Sequence, residues 1–232
     1  MRPGPTSLGP FDPGMDELPG SIPLFPLTEA LLLPGGRLPL NIFEPRYLAM
    51  VRYALMTPTR LIGMVQPQEA GADRKMDPEL QPVLQQVGCA GRIVAFEESE
   101  DGRYMITLSG LTRFRLMREL PGHSGGFRQA MVDFTPYGDD MAERGFMLAD
   151  RDHFLGLLKS FLDLRQMGVD KDAIAQAEDE HLVVSLAMLC PFSPTEKQSL
   201  LECADIDTLA DMLTALFEVA IAAHGHRDRP LH

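Results

Sequence analysis

Residues 87–116 read VGCAGRIVAFEESEDGRYMITLSGLTRFRL, and this stretch decides the fold. It predicts strands from Val87 to Glu98 and from Arg103 to Ser109, joined at Asp101-Gly102, a pair that favours the positive φ angles of a tight hairpin turn. In the second strand apolar residues alternate with the others, so one face is expected to be buried. Gly110 then interrupts, which predicts a bend or bulge that turns one long strand around a barrel corner.

Other short apolar runs bounded by Pro and Gly extend this β-structure over residues 22–135. They predict strands at Leu38 to Phe43, Leu61 to Val65 and Gln129 to Thr135. One helix interrupts the strands. Pro45 suits its first position, because the missing N–H costs nothing there. Residues 66–86 contain three prolines and little periodicity, which indicates a long loop.

From about residue 147 the apolar spacing becomes helical. Phe154, Leu157, Leu158 and Phe161 form one stripe, and further helices are predicted over 171–189 and after Asp207. Ser193-Pro-Thr-Glu196 is a capping box at a helix start. Strands followed by helices predict an α+β fold. The expected parts are a flexible leader (1–20), a β-rich domain (21–140), a helical bundle (141–224) and a tail (225–232).

The charge of the chain is concentrated in the helical part. The chain holds 21 basic and 33 acidic residues, a net charge of −12. Residues 1–132 contribute 13 basic and 14 acidic residues, whereas residues 133–218 contribute 6 and 18. This balance does not favour nonspecific binding to nucleic acid, because affinity for phosphates comes from Lys and Arg. The acidic segment is interpreted as solvated helix surfaces or as a face that repels acidic partners.

Targeting and cysteine patterns predict a cytoplasmic protein. The N-terminus has no apolar h-region of a signal peptide, and no run of about 18 apolar residues is long enough to span a membrane. The three cysteines, Cys89, Cys190 and Cys203, lie far apart and form no CxxC or metal-binding spacing, which fits a reducing compartment.

The sequence offers no catalytic constellation. No lysine follows a glycine, which excludes a P-loop, and neither GxSxG nor HExxH occurs. The expectation is therefore no enzyme, no cofactor and no metal. The arginines between residues 92 and 128 are expected to point outward and to pair with nearby acids.

Two apolar features are candidates for protein binding. Fourteen methionines fit either core filling or an adaptable binding surface, and Met64 and Met105 are taken as candidates. Leu31, Leu32 and Leu33 precede Pro-Gly-Gly. They form either a buried strand before a turn or an exposed apolar loop.

Three stretches resemble the N-terminal domain family of Lon proteases. They are residues 22–51 (IPLFPLTEALLLPGGRLPLNIFEPRYLAMV), residues 87–116 and residues 186–202 (LAMLCPFSPTEKQSLLE). Gly110, Arg113 and Phe114 fall where the family has them. The resemblance implies a PUA-like β pseudo-barrel followed by a helical bundle. Within the first stretch, Pro23, Pro26 and Pro39 are expected to limit pairing at strand edges, and Glu44 to cap a helix with Arg46 as its ion-pair partner.

The resemblance implies recognition of protein substrates. Because the chain ends at His232, it is expected to lack the ATPase and peptidase of full-length Lon. The leading hypothesis is a non-catalytic module that binds unfolded or client proteins, with a protease complex as a further candidate partner. An RNA-binding PUA-like protein and an enzyme with an unrecognised small-molecule site are the alternatives. The sequence does not indicate which oligomeric state the protein adopts.

Overall fold

The computed structural model describes residues 11–28, 30–68, 81–142, 145–168 and 171–227. Its strands are β1 (Ser21–Pro26), β2 (Arg37–Ile42), β3 (Leu61–Val65), β4 (Val87–Glu98), β5 (Tyr104–Glu119) and β6 (Arg128–Asp133). Its α-helices are α1 (Pro45–Leu55), α2 (Arg151–Leu164), α3 (Lys171–Gln176), α4 (Asp179–Leu189), α5 (Pro194–Leu201) and α6 (Ile206–Arg227). Two 3-10 helices lie at Met15–Glu17 and Thr135–Met141.

Five of these strands close into a barrel. The order β5-β4-β3-β1-β6 returns to β5, since β6 pairs with the end of β5 that follows Arg115. All of these pairs are antiparallel except β1 with β3. Apolar side chains fill the interior, among them Ile22, Leu24, Leu61, Phe114 and Val132. The predicted α+β fold with a β pseudo-barrel is confirmed.

Beyond the barrel, the β4–β5 hairpin extends as a three-stranded sheet. We call it the hairpin wing: β2, residues 93–98 of β4 and residues 104–109 of β5. Gly102 has a φ of 78° in the turn, as Asp101-Gly102 predicts. The β4–β5 register shifts between Ala90 and Gly91, opposite Gly110, so the predicted irregularity at Gly110 is confirmed.

Leu31, Leu32 and Leu33 run across this irregularity. A Cβ atom on Gly110 would overlap the carbonyl oxygen of Leu33, and one on Gly91 would lie 2.6 Å from the Leu32 side chain. The two glycines therefore form a gap in the sheet into which the leucine segment packs. The backbone of Gly110 is satisfied by Gly35 and Gly36, with N···O distances of 2.9 and 2.8 Å. The leucines are thus buried, although they form no strand.

The helices pack around an aromatic cluster, with Phe161 within 6 Å of Phe192 and Phe217 between ring centroids. The cluster continues to Leu31–Leu33 and α1, so buried residues of the β-rich and helical parts form one core. Among the described helices, none is long and apolar enough to cross a bilayer.

The predicted helix over 171–189 is wrong in its continuity. It is two helices, α3 and α4, with Glu178 in an extended conformation between them. The Arg151 guanidinium donates to the carbonyls of Ile174, Ala175 and Ala177 and pairs with Asp179. Because Arg151 satisfies the carbonyls that the end of α3 leaves free, the chain can turn there.

Helix starts follow the sequence closely. Pro45 occupies the first turn of α1, and Ser193 and Glu196 form the predicted capping box of α5. Glu44 does not cap α1 through its side chain. Instead, it accepts a 2.9 Å hydrogen bond from Arg46, the predicted ion-pair partner.

The predicted leader, loop and tail are only partly described. Residues 1–10, 69–80 and 228–232 lie outside the described residues. Asp12 pairs with Arg92 at 3.1 Å, so residues 11–20 of the leader belong to the folded structure. The flanks of the predicted loop pair with each other, since Pro67 bridges to Leu84. Helix α6 continues into the predicted tail.

Candidate protein-binding surface

A cavity of about 90 Å³ lies where the barrel meets α5, with Arg113 in its wall. All five N–H donors of this guanidinium are used. Two go to Asp140, at 2.9 and 2.6 Å, and three go to the carbonyls of Leu201, Cys203 and Ala204. The carbonyls follow the end of α5, where an arginine is favoured by the helix dipole. This cluster joins β5 to the helices, and its polar groups are occupied by one another.

Arg113 also corrects a sequence prediction. Arginines of this region were expected to point outward, as the half-exposed Arg103 does in pairing with Asp101. Arg113 is instead 8% exposed. Burial acts to lower its pKa, but hydrogen bonds and attraction from Asp140 outweigh this and raise the pKa above its ordinary value, so the buried arginine stays charged.

A second polar network fixes the start of α5. Gln66, at the end of β3, donates to the Pro194 carbonyl and to Gln198 at 3.3 and 3.2 Å. Gln198 in turn donates to the Val87 carbonyl. Helix α5 is therefore held against the barrel near both ends.

The described residues contain no group of three or more His, Cys, Asp or Glu side chains arranged to hold a metal ion. Burial raises the pKa of the Cys89 thiol well above its usual range and that of Cys190 to about 12. Both thiols are protonated at neutral pH and are poor nucleophiles. The predictions of no cofactor and no catalytic residue stay predictions.

The solvent-facing side of the hairpin wing exposes several apolar side chains. Strand pairing places Pro39 beside Thr107 and Ala95, and Asn41 beside Met105 and Glu97. Phe43 follows on the same side by alternation. Met105 and Phe43 are 54% and 62% exposed. A shallow groove of about 430 Å³ on this side is lined by Pro39, Asn41, Ala95, Glu97, Met105 and Thr107, among others. We call this side, together with Phe43, the outer wing face.

The hairpin turn at the end of this face is held by its own hydrogen bonds. Ser99 Oγ donates to Asp101 Oδ1 at 2.5 Å, and the Arg103 carbonyl oxygen lies 3.0 Å from Ser99 Oγ. The Ser99 hydrogen bond lowers the pKa of Asp101, which keeps this carboxylate ionised beside Arg103. On the other side of the sheet, Phe96 packs edge-on against Tyr104 with centroids 5.0 Å apart. The outer wing face is therefore presented on an ordered hairpin.

The sequence-predicted binding residues separate into two groups. Leu31, Leu32, Leu33 and Met64 are at most 3% exposed, so they form core and are not accessible to a partner. The leucines fill the glycine gap of the sheet, and Met64 lies on β3 between Phe25 and Cys89. Met105 is exposed and central to the outer wing face. Of the two interpretations of Leu31–Leu33, burial is correct.

Sequence reasoning missed Pro39, Phe43 and Glu97 as surface partners of Met105. The signal was present, because the alternation that buries Ile42 turns Asn41 and Phe43 to the opposite side. What the sequence lacks is the pairing of β2 with β5, which brings these residues beside Met105.

Comparison with known proteins places this architecture in a family. The family model of the substrate-binding domain of ATP-dependent protease La (LON) matches residues 21–218. This chain belongs to the Lon substrate-binding domain family. The predicted resemblance to Lon is thus confirmed.

Solved structures of Lon N-terminal domains share the fold. The Lon N-terminal domain protein from Xanthomonas campestris has a TM-score of 0.54 and 26% identity, covering 83% of this chain and 96% of that chain. The N-terminal domain of Lon protease from the Mycobacterium avium complex has a TM-score of 0.56 and 16% identity, covering 85% and 98%. These likenesses support the assignment of the barrel and helices to a Lon N-terminal domain.

The Lon family relatives are much longer proteins. Lon protease 1 of Bdellovibrio bacteriovorus is 28% identical over 226 residues, which are 93% of this chain and 27% of that protein. Lon protease 2 of Sorangium cellulosum is 30% identical over 112 residues, which are 48% of this chain and 13% of that protein. This Lon-family chain spans about a quarter or less of the length of these two proteases.

Proposed function

We propose that this Lon-family domain binds apolar segments of unfolded or client proteins without catalysing a reaction, and that the outer wing face is the contact surface. One observation carries the proposal: Pro39, Phe43 and Met105 lie exposed on one side of a folded sheet. Exposed apolar clusters on an ordered scaffold are typical of interaction sites. Methionine adds a flexible, polarisable side chain that accommodates ligands of different shape.

Binding of a fluorescein-labelled peptide, with four apolar residues between neutral flanks, tests this proposal. We expect anisotropy to report a dissociation constant of tens of micromolar. Met105→Glu should weaken it about tenfold, because the apolar contact is replaced by a charge. Met147, 83% exposed in the segment before α2, provides the control, and Met147→Glu should bind as the parent does. Absence of binding below about 100 micromolar, or equal loss in both variants, contradicts the proposal.

The remaining parts of the functional hypothesis are also proposals. We propose a cytoplasmic protein, in keeping with three free, buried cysteines, and one that works beside a protease of its cell. Nucleic acid is not the proposed ligand. The hairpin turn beside the outer wing face carries Glu97, Glu98 and Glu100, which would repel phosphates. A gel shift at low salt tests this, and tight, salt-sensitive RNA binding would contradict it.

A further inference from the structure

We infer that the outer wing face selects extended protein segments in which a Lys or Arg lies at one end of an apolar centre. This inference rests on the proposed function and concerns its selectivity. The apolar contacts come from Pro39, Phe43 and Met105, and the selection for a basic residue at one end comes from carboxylates near the hairpin turn.

The carboxylates lie at one end of the face. Strand pairing places Glu97 on the same side as Met105 and Asn41, and Glu100 lies in the turn. Glu98 pairs with Tyr104 and therefore faces the opposite side of the sheet. Glu97 and Glu100 are exposed, and neither has an ion-pair partner among the described residues. Asp101 is already paired with Arg103 at 2.8 Å. The free charge at this end is therefore negative and is available to a ligand.

The opposite end of the face has the other sign. Arg37 begins β2 and is exposed, on the same side as Pro39 and Asn41. At about 3.4 Å per residue, it lies about 14 Å along the strand from Asn41. Arg92, in register with Ser109 beside Arg37, pairs with Asp12. A ligand that crosses the face is thus offered carboxylates at one end and a single free arginine at the other.

The edges of the wing disfavour recognition by strand addition. Pro39 lies within β2 and lacks a backbone N–H, and no strand of the described chain pairs with the outer edge of β2. On β4, the register shift between Ile93 and Ala95 and the charges of Glu97 and Glu98 protect the edge in the same way. The ligand is therefore recognised by side chains of the outer wing face, and its own side-chain sequence decides affinity.

Three labelled peptides with one apolar centre and Lys, Gln or Glu at one end of it test the inference. At 50 mM salt we expect the Lys peptide to bind about tenfold tighter than the Glu peptide, with the Gln peptide between them, since each exposed ion pair contributes a few-fold in affinity. The difference should shrink above about 0.5 M salt, where exposed charges are screened. Glu97→Lys should reduce the Lys-to-Glu preference about fivefold and leave the Gln peptide nearly unaffected.

Asp211→Lys on α6 is the matched control, because it makes the same charge change on an exposed residue of the helical part. It should leave the order of the three peptides unchanged. Equal affinities for the three peptides, or an equal effect of the two lysine variants, overturn the inference while the proposed function stands. Failure of all three peptides to bind overturns the proposed function itself. Self-association in sedimentation that Glu97→Lys abolishes would identify a second copy as the occupant and also overturn the inference.

Discussion

Replacing Arg113 by methionine would remove the five hydrogen bonds that join β5 to the 3-10 helix Thr135–Met141 and to the end of α5. Methionine keeps much of the side-chain length but leaves the Asp140 carboxylate, 8% exposed, without its cation. Breaking a buried ion pair in this way costs about 3–5 kcal/mol. Since small domains are stabilised by only about 5–15 kcal/mol, Arg113→Met should lose a large share of the free energy of unfolding.

The chain provides two probes for following this loss in urea. It has no tryptophan, and its four tyrosines precede the helical part, so tyrosine fluorescence reports on the barrel and α1. Circular dichroism at 222 nm reports mainly on the helices. We expect the two transitions to coincide in the parent. In Arg113→Met, both midpoints should fall, and the two probes should separate because the link between the barrel and α5 is broken.

Arg115, two residues along the same strand and exposed, provides the control. Arg115→Met should change the stability by no more than about 0.5 kcal/mol. Asp140→Asn and the double variant complete a thermodynamic cycle, in which we expect a coupling energy of about 1–3 kcal/mol. If Arg113→Met fails to fold, Arg113→Lys replaces it, since lysine keeps the charge but has three donors instead of five. A loss below about 1 kcal/mol with no coupling would refute the reasoning.

Three further predictions concern other parts of the molecule. Gly110→Ala should lower the free energy of unfolding by about 3 kcal/mol, because the new Cβ would overlap the Leu33 carbonyl. Gly156→Ala, in open space within α2, should raise it by about 0.5–1 kcal/mol. Urea midpoints compare the two variants, and shifts of the same sign would contradict the account of the gap. Ser193→Ala should cost about 1 kcal/mol through loss of the α5 cap, measured in the same way, and an unchanged midpoint would contradict it. Burial raises the pKa of Cys190 from about 8.5 to about 12, so the folded state favours the protonated thiol. The contribution of this thiol to the free energy of unfolding is therefore complete below pH 8.5 and declines as the pH rises toward 12. The free energy of unfolding of Cys190→Ala should therefore depend less on pH over this range than that of the parent. Parallel pH dependences would contradict the raised pKa.

The fold could be predicted well from the sequence because its signals are local. Alternation and turn residues predict β3 and β4 at their observed bounds, and Pro45 and Ser193 mark helix starts correctly. The break between α3 and α4 could not be predicted in this way. It depends on Arg151, which is distant in sequence and can donate to the end of α3 only when the helices are packed together.

The candidate surface could be predicted only in part, for a related reason. Hydrophobicity alone does not distinguish Leu32 from Met105, although one is 1% and the other 54% exposed. The distinction comes from which side of a strand each residue faces and from what covers that side. For Leu32, it comes from the gap that Gly91 and Gly110 leave in the sheet, which becomes visible only when β4 and β5 are paired.

The residues that join the elements of this fold and those proposed to bind ligand have different positions for a physical reason. Gly110, Arg113 and Gln198 lie where β5, the leucine segment and α5 pack against one another. There an added Cβ atom would clash, and a lost hydrogen-bond donor would leave a buried acceptor without a partner. Met105 and Glu97 face solvent, where substitutions change contacts with a partner but hardly alter packing. A chain can therefore keep the contacts that specify this fold while its outer wing face changes. We accordingly expect Met105→Glu to abolish most peptide binding at an unchanged urea midpoint, and Gly110→Ala to lower that midpoint while the folded fraction still binds.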